Sequence, residues 1–299
     1  MLDFHPMTPA DVSRVRPLLD RTPDLSCEYS PACLLMWGRA QLAEYEGCLI
    51  PMVNYGDGLR YLRPLGGDLM TLLPILEQDS RERGIPFRIS GLTPPSRALL
   101  EETGRYTITA NRDYFDYIYS IESLTTLAGR KLQAKRNHIN RFIDQHPDWH
   151  TEPITRENIA ECQAMTERWY QEHYDRGFPP AFYKSEQFAL SIAFPHYEEI
   201  GFDGLLLRAE GEVIGWSMGV RLSADTFDVC FEKAFSSMQG AYPLINREFS
   251  RMIAETYPEI RWLDREDDMG EEGLRQAKLS YNPAVILEKS VAVLKEEFR

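Results

Sequence analysis

Apolar residues recur at helical spacing at several points along the chain. Leu69, Leu72, Leu73 and Leu76 share one face behind Asp68, which suits a helix N-cap, and the stripe ends near Gly84. Leu132, Ile139, Phe142 and Ile143 form a second stripe within 129–145, closed by Pro147. A third, Ile245, Phe249, Met252 and Ile253, follows Pro243, read as a first helical residue because its missing N–H would be unpaired there. Shorter helices are expected over 9–20, 31–40, 95–102, 157–174, 183–196 and 274–279. Runs rich in strand formers cover 48–54 and 59–62, on either side of the hairpin turn Tyr55-Gly56-Asp57-Gly58. Further strands are expected over 87–90, 106–119, 149–154, 205–209, 213–222, 226–233, 260–263 and 285–294.

This order gives two α/β halves without a residue-level repeat, divided after the 129–145 helix into 1–146 and 147–299. The second half runs as an antiparallel meander, a crossover helix and a further strand, an α+β arrangement with a mixed sheet. Its centre is the strand ending Phe231-Glu232-Lys233-Ala234, the small-residue loop Ser236 to Ala241, and the helix behind it. A strand, a loop with a glycine and a helix N-terminus place free amides where a phosphate could sit. Gln239, Gly240, Ala241, Tyr242 and Asn246 are therefore the candidate carrier-binding residues.

Composition narrows the field. The chain has 299 residues, no apolar run of membrane-spanning length and no basic-then-apolar leader in Met1 to Pro9, so a cytoplasmic protein without a membrane span is expected. Its five cysteines show no metal spacing; free buried thiols and no metal are expected. A net charge of −13 disfavours non-specific nucleic-acid binding. Against that background 129–142 contains no acid but holds Arg130, Lys131, Lys135, Arg136 and Arg141. That segment reads either as a path for an anionic donor or as a solvated helix paired with acids of both halves.

The order of elements resembles the GCN5-related N-acetyltransferase (GNAT) fold. Phe231 to Ala234 with Gly240-Ala241-Tyr242 and Ile245-Asn246, Arg112 to Tyr117 with Lys135 to Asn140, and Gly273 to Pro283 resemble a bacterial family grouped with the C-terminal domain of phosphatidylglycerol lysyltransferases. The resemblance implies two GNAT-like domains in tandem, each a mixed, mostly antiparallel sheet flanked by helices. It also implies an acyltransferase moving an aminoacyl or acetyl group from tRNA or coenzyme A to an amine or hydroxyl. The acceptor would be a small molecule, lipid or peptide. The alternative is a non-catalytic GNAT scaffold that binds a nucleotide, peptide or RNA.

Acyl transfer needs an oriented carbonyl, a neutral acceptor and a proton for the leaving group. Glu232, near the end of the central strand, is the candidate base, its alternative being a structural ion pair; Lys233 should face the other way. Tyr281, after the last helix, stands where many GNAT enzymes place a tyrosine near the leaving group, and is the candidate proton donor or else a packed aromatic. Arg275 and Lys278 share a helix face and would grip a phosphate or pair with Asp268, Glu271 or Glu272. Arg130, Lys131, Lys135 and Arg136 are the candidate tRNA contacts. Two patterns are set aside. Gly215-Trp216-Ser217-Met218-Gly219 lies within a strand, and no histidine follows His196 to complete a hydrolase triad. Asp264, Glu266 and Asp268 alternate like a calcium loop whose sixth and twelfth positions, Met269 and Arg275, do not fit.

Overall fold

A computed structural model describes residues 1–298. Among the described residues fourteen strands form two sheets of seven. The first is ordered His5–Pro6, Gln41–Tyr45, Cys48–Asn54, Leu59–Tyr61, Arg88–Leu92, Ser290–Leu294, Tyr106–Ala110; the second Val285–Leu287, Asp116–Ser120, Trp262–Asp264, Thr226–Ala234, Glu212–Arg221, Asp203–Ala209, His150–Pro153. Each sheet is antiparallel except for one pair: Leu59–Tyr61 with Arg88–Leu92 in the first, Thr226–Ala234 with Trp262–Asp264 in the second. The architecture is the expected α+β tandem.

The sheets do not divide at residue 146. The region 106–119 is two strands rather than one: Tyr106–Ala110 stays in the first sheet, while Asp116–Ser120 pairs with Trp262–Asp264 in the second. The terminal segment also splits, Val285–Leu287 entering the second sheet and Ser290–Leu294 the first. The chain thus crosses between sheets after Ala110 and returns after Leu287, and a cut after residue 146 would remove a strand from each. Two apolar runs that read as continuous are broken at Arg112–Tyr114 and at Glu288 and Lys289, polar positions that sit at the seam.

Several elements begin where local chemistry demands. Asp68 caps Leu69–Arg83 by accepting from the Thr71 amide at 2.8 Å, and Gly84 ends it at φ 67°. The strand Gln41–Tyr45 and the helix Ile121–Thr126 are short and were not legible from periodicity. The basic helix spans Gln133–Gln145, leaving Arg130 and Lys131 in the turn before it. The helix expected from Pro243 starts at Ala241, with Gly240 as its cap.

Two glycines of the hydrolase-like pattern are sheet glycines. Val229 and Cys230 oppose the single residue Gly219, a bulge in the central strand. A Cβ on Gly219 would fall 2.0 Å from the Asp228 carbonyl oxygen, so only glycine fits. Ser217 is fully buried and donates to the Phe231 carbonyl at 3.0 Å.

Candidate active site at the parting of two strands

The parallel strands Thr226–Ala234 and Trp262–Asp264 pair only as far as Asp228 and Asp264. Beyond that point the first runs on to Ala234 and the second turns into the charged segment 265–268. Side chains of both fill the gap between them. The bulge sets which way they face: after it, Glu232 turns toward the helix Ala241–Thr256 and Lys233 toward the opposite layer, as the strand alternation required.

On the Glu232 side, one carboxylate gathers two donors. Arg265 Nη2 donates to its Oε1 at 2.9 Å and Asn246 Nδ2 to its Oε2 at 2.9 Å. Arg265 Nη1 and Asn246 Oδ1 are buried and have no partner. Tyr281 packs beside them, buried, with Lys135 Nζ 3.9 Å above its ring and Arg265 Cζ 4.8 Å away. Burial drives the Tyr281 phenol well above its ordinary value, with Arg265 opposing, so the hydroxyl stays protonated. Burial and the charge of Arg265 lower the Lys135 ammonium, while Glu232 supports it. The Lys135 ammonium makes no hydrogen bond or ion pair among the described residues.

On the other side, Lys233 is enclosed. Its Nζ lies 2.7 Å from Glu186 Oε1 and 3.7 Å and 4.9 Å from the Trp169 and Tyr170 ring centres. Tyr170 donates to the same Glu186 oxygen at 2.6 Å, and Trp169 Nε1 donates to the Tyr242 hydroxyl at 3.0 Å. Burial pushes the Tyr242 phenol up to about 12. Nothing in the spacing of Trp169, Tyr170 and Glu186 announced this box; its signal was a lysine, Lys233, on the face of the strand opposite Glu232.

Toward the seam between the sheets lie Asp228, Asp264 and Glu266, all raised above the usual carboxylate range by burial first; the charge of Asp116 adds to this at Asp228 and Asp264, that of Asp228 at Asp264 and Glu266, and Asp228 reaches about 7. Four of the five cysteines are buried and all are free.

The loop-and-helix cradle is roofed over. The position a Gly240 Cβ would take lies 2.4 Å from the His138 carbonyl of the basic helix, and Gly240 itself has φ 103°. The Ala241 amide donates to Met238 O at 3.0 Å and Pro243 has no N–H, which leaves the Tyr242 amide alone among the first three. Gln239 is exposed and accepts from Arg141. Of these residues only Asn246 reaches Glu232.

Other expected contacts turn inward. Arg275 bonds both oxygens of Asp268, at 2.9 and 2.8 Å, and Asp113 at 2.6 Å. Lys278 is buried and gives its ammonium to the carbonyls of Arg265, Glu266 and Asp267. Arg136 caps the preceding turn through the carbonyls of Leu127 and Gly129. Arg275 thus pairs with Asp268, while Lys278 and Arg136 bond main-chain oxygens. Arg130 is exposed, and Lys131 bonds Asn282 Oδ1 at 2.9 Å.

Two tandem mixed sheets, each with one parallel pair and, in the second, a parting beside a crossover helix, define a tandem GNAT-type acyltransferase fold. The chain belongs to the family described as phosphatidylglycerol lysyltransferase, C-terminal, whose model matches residues 20–293. It is 36% identical to a conserved protein of unknown function from Bacteroides thetaiotaomicron, with 99% of this chain and 100% of that one aligned at a TM-score of 0.92. A domain from Agrobacterium fabrum described as lysylphosphatidylglycerol synthetase C-terminal shares the fold at 15% identity, over 97% of this chain and 94% of that one, with a TM-score of 0.71. An uncharacterized protein of Mycoplasmoides gallisepticum is 25% identical over 175 residues, 58% of this chain; the match spans 54% of that protein, so about half its length. No helix among the described residues is long and apolar enough to cross a membrane.

Proposed function

We propose that the chain transfers an aminoacyl group from tRNA to an amine or hydroxyl acceptor, with the ester carbonyl seated where the two parallel strands part. The observation that carries this reading is Arg265: a buried guanidinium whose Nη1 has no partner, held by Glu232 and flanked by Lys135 and Tyr281. A buried, preorganised cation is worth most against negative charge that develops during reaction. Arg265 would meet the oxyanion formed as the acceptor attacks the ester carbonyl. Tyr281, kept protonated by burial, would give its proton to the departing ribose oxygen and recover the one that the attacking amine or hydroxyl loses as the new ester or amide bond forms. Both oxygens of Glu232 are already bonded, so this reading gives it the role of orienting Arg265 rather than of accepting a proton. Lys135 and the exposed Arg130 and Lys131 would meet the carrier's phosphates.

The roofed Gly240 loop favours tRNA over coenzyme A, because a diphosphate needs the amides that Met238 and the basic helix now cover. The test is direct. Charged tRNA should bind more tightly than the same tRNA uncharged, and its ester should be consumed faster when an amine acceptor is added. Coenzyme A should leave the melting temperature unchanged. A rise with coenzyme A in the unaltered chain would move the donor to acyl-coenzyme A. No response to any carrier would leave the scaffold reading.

A further inference from the structure

Two thiol–carboxylate clusters lie side by side at the seam between the sheets, and one of them holds its own cation. In the first, Lys289 Nζ stands 2.7 Å from Asp116 Oδ1, 3.0 Å from Glu28 Oε1 and 3.4 Å from Cys27 Sγ. In the second, Cys33 Sγ lies 3.3 Å from Glu266 Oε1 and 3.9 Å from Asp228 Oδ2. No ammonium or guanidinium among the described residues bonds a side-chain oxygen there; Lys278 spends its ammonium on main-chain carbonyls. Asp228 is fully buried and its Oδ1 has no partner, and the same holds for Asp264 Oδ2 beside it. Buried carboxylates without a countercharge are strongly disfavoured, and the adjacent cluster shows what relieves them.

We infer that Cys33, Asp228 and Glu266 form a site for one thiophilic divalent cation of the Zn²⁺ class, with a fourth position left open. Their ligand atoms all lie within 4.8 Å of one another. Tetrahedral Zn²⁺ with bonds of about 2.3 Å to sulfur and about 2.0 Å to oxygen sets sulfur–oxygen edges of about 3.5 Å, between the two distances observed. A thiolate with two carboxylates suits such an ion better than an organic ammonium, for which sulfur is a weak acceptor. Glu266 is the one member of the cluster that is partly exposed, and it gives the cluster its contact with solvent. The site goes beyond the acyl-transfer reading and is tested without any carrier.

The whole chain, stripped with chelator and titrated with Co²⁺, should take up a single ion and show a thiolate-to-cobalt charge-transfer band. Cys33→Ser should remove that band, and Cys27→Ser, whose thiol sits beside Lys289, should keep it. Zn²⁺ should raise the melting temperature of the unaltered chain and not that of Asp228→Asn. The measurements on the unaltered chain decide the matter even where a variant does not fold. Absence of both the band and the rise overturns the site. So does a band lost with Cys27 instead of Cys33. A rise with L-lysinamide and none with Zn²⁺ overturns it too, and gives the cluster to an organic ammonium.

Discussion

Arg265 and Arg275 belong to the same charged stretch, and the structure treats them oppositely. Arg275 stands at the edge of its helix and forks onto Asp268 and Asp113, three contacts in all. Arg265 is more deeply buried, bonds one carboxylate oxygen, and keeps Nη1 without a partner. Arg60, Arg63, Arg97 and Arg221 each leave a buried Nε open, but among the described residues only Arg265 leaves a buried terminal nitrogen without a partner, and on the acyl-transfer reading that donor is held for a guest. The difference separates cations that hold the fold from cations that meet a guest, and substitutions should split along the same line.

The largest effect is expected at Arg265. Arg265→Lys keeps a positive charge opposite Glu232 but loses the second guanidinium nitrogen, and the transfer rate should fall about 10²–10³-fold, the scale of one lost oxyanion donor. Arg275→Lys should lower the melting temperature and leave the rate per folded molecule unchanged. Equal loss of rate in both variants would erase the distinction.

Asp268 tests the structural side. It is fully buried between Arg275, Arg112, the Tyr117 hydroxyl and the Gly270 amide. Burial alone would raise its carboxyl, but Arg275, Tyr117 and the Gly270 amide outweigh this and hold it well below the usual carboxylate range. A depressed folded-state value means the stabilisation is complete above the unfolded value of about 4 and is lost as pH falls through the folded one. Asp268→Asn should therefore cost about 3 kcal/mol at neutral pH, as when a buried pair loses a partner. The gap to the unaltered chain should begin to narrow below about pH 4 and go on narrowing as the pH falls toward the folded-state value, as followed by denaturant melts across pH. A gap independent of pH would mean the ionised carboxylate contributes nothing.

Glu232→Gln sits between the two kinds of residue. Losing the charge that orients Arg265 should lower kcat about tenfold with KM for the carrier little changed. A general base would behave differently: the loss would reach about 10²–10⁴-fold and the acidic limb of the pH–rate profile would disappear. The profile therefore decides whether Glu232 acts through Arg265 or on the acceptor's proton.

What the sequence disclosed follows the same division. The strand–loop–helix at 226–256 was legible because its apolar periods are strong, and Glu232, Asn246, Tyr281 and Lys135 could be named from it and from family resemblance. Arg265 was not, because a charged segment of alternating sign carries no periodicity, and which arginine stays unsaturated is decided by partners distant in sequence. Asp113 and Asp116 reach Arg275 and Lys289 only because the chain crosses between sheets, and the aromatic character of 106–119 and the aliphatic residues on both sides of Glu288 and Lys289 concealed both crossings. The glycine loop misled for a related reason: a glycine that frees amides for a phosphate and one that admits a neighbouring helix are the same letter, and His138 lies about a hundred residues away.

The smallest expected effect concerns the basic helix, and the structure sharpens which residues can show it. Arg136 is spent on the carbonyls of Leu127 and Gly129, so reversing it would disturb the turn before the helix and confuse binding with folding. Lys135 has no such duty, and Arg130 is exposed. Each phosphate contact on a single-stranded end contributes about 0.7 to the slope of log affinity against log salt. Lys135→Ala should lower that slope by about one contact, weaken tRNA binding most at low salt, and leave the melting temperature within about a degree, since a half-buried ammonium over a ring contributes little to the fold. Fluorescence anisotropy of a labelled tRNA acceptor stem across a salt series reads both quantities. An unchanged slope would remove Lys135 from the carrier's path and leave Arg265 as a site for some other anion.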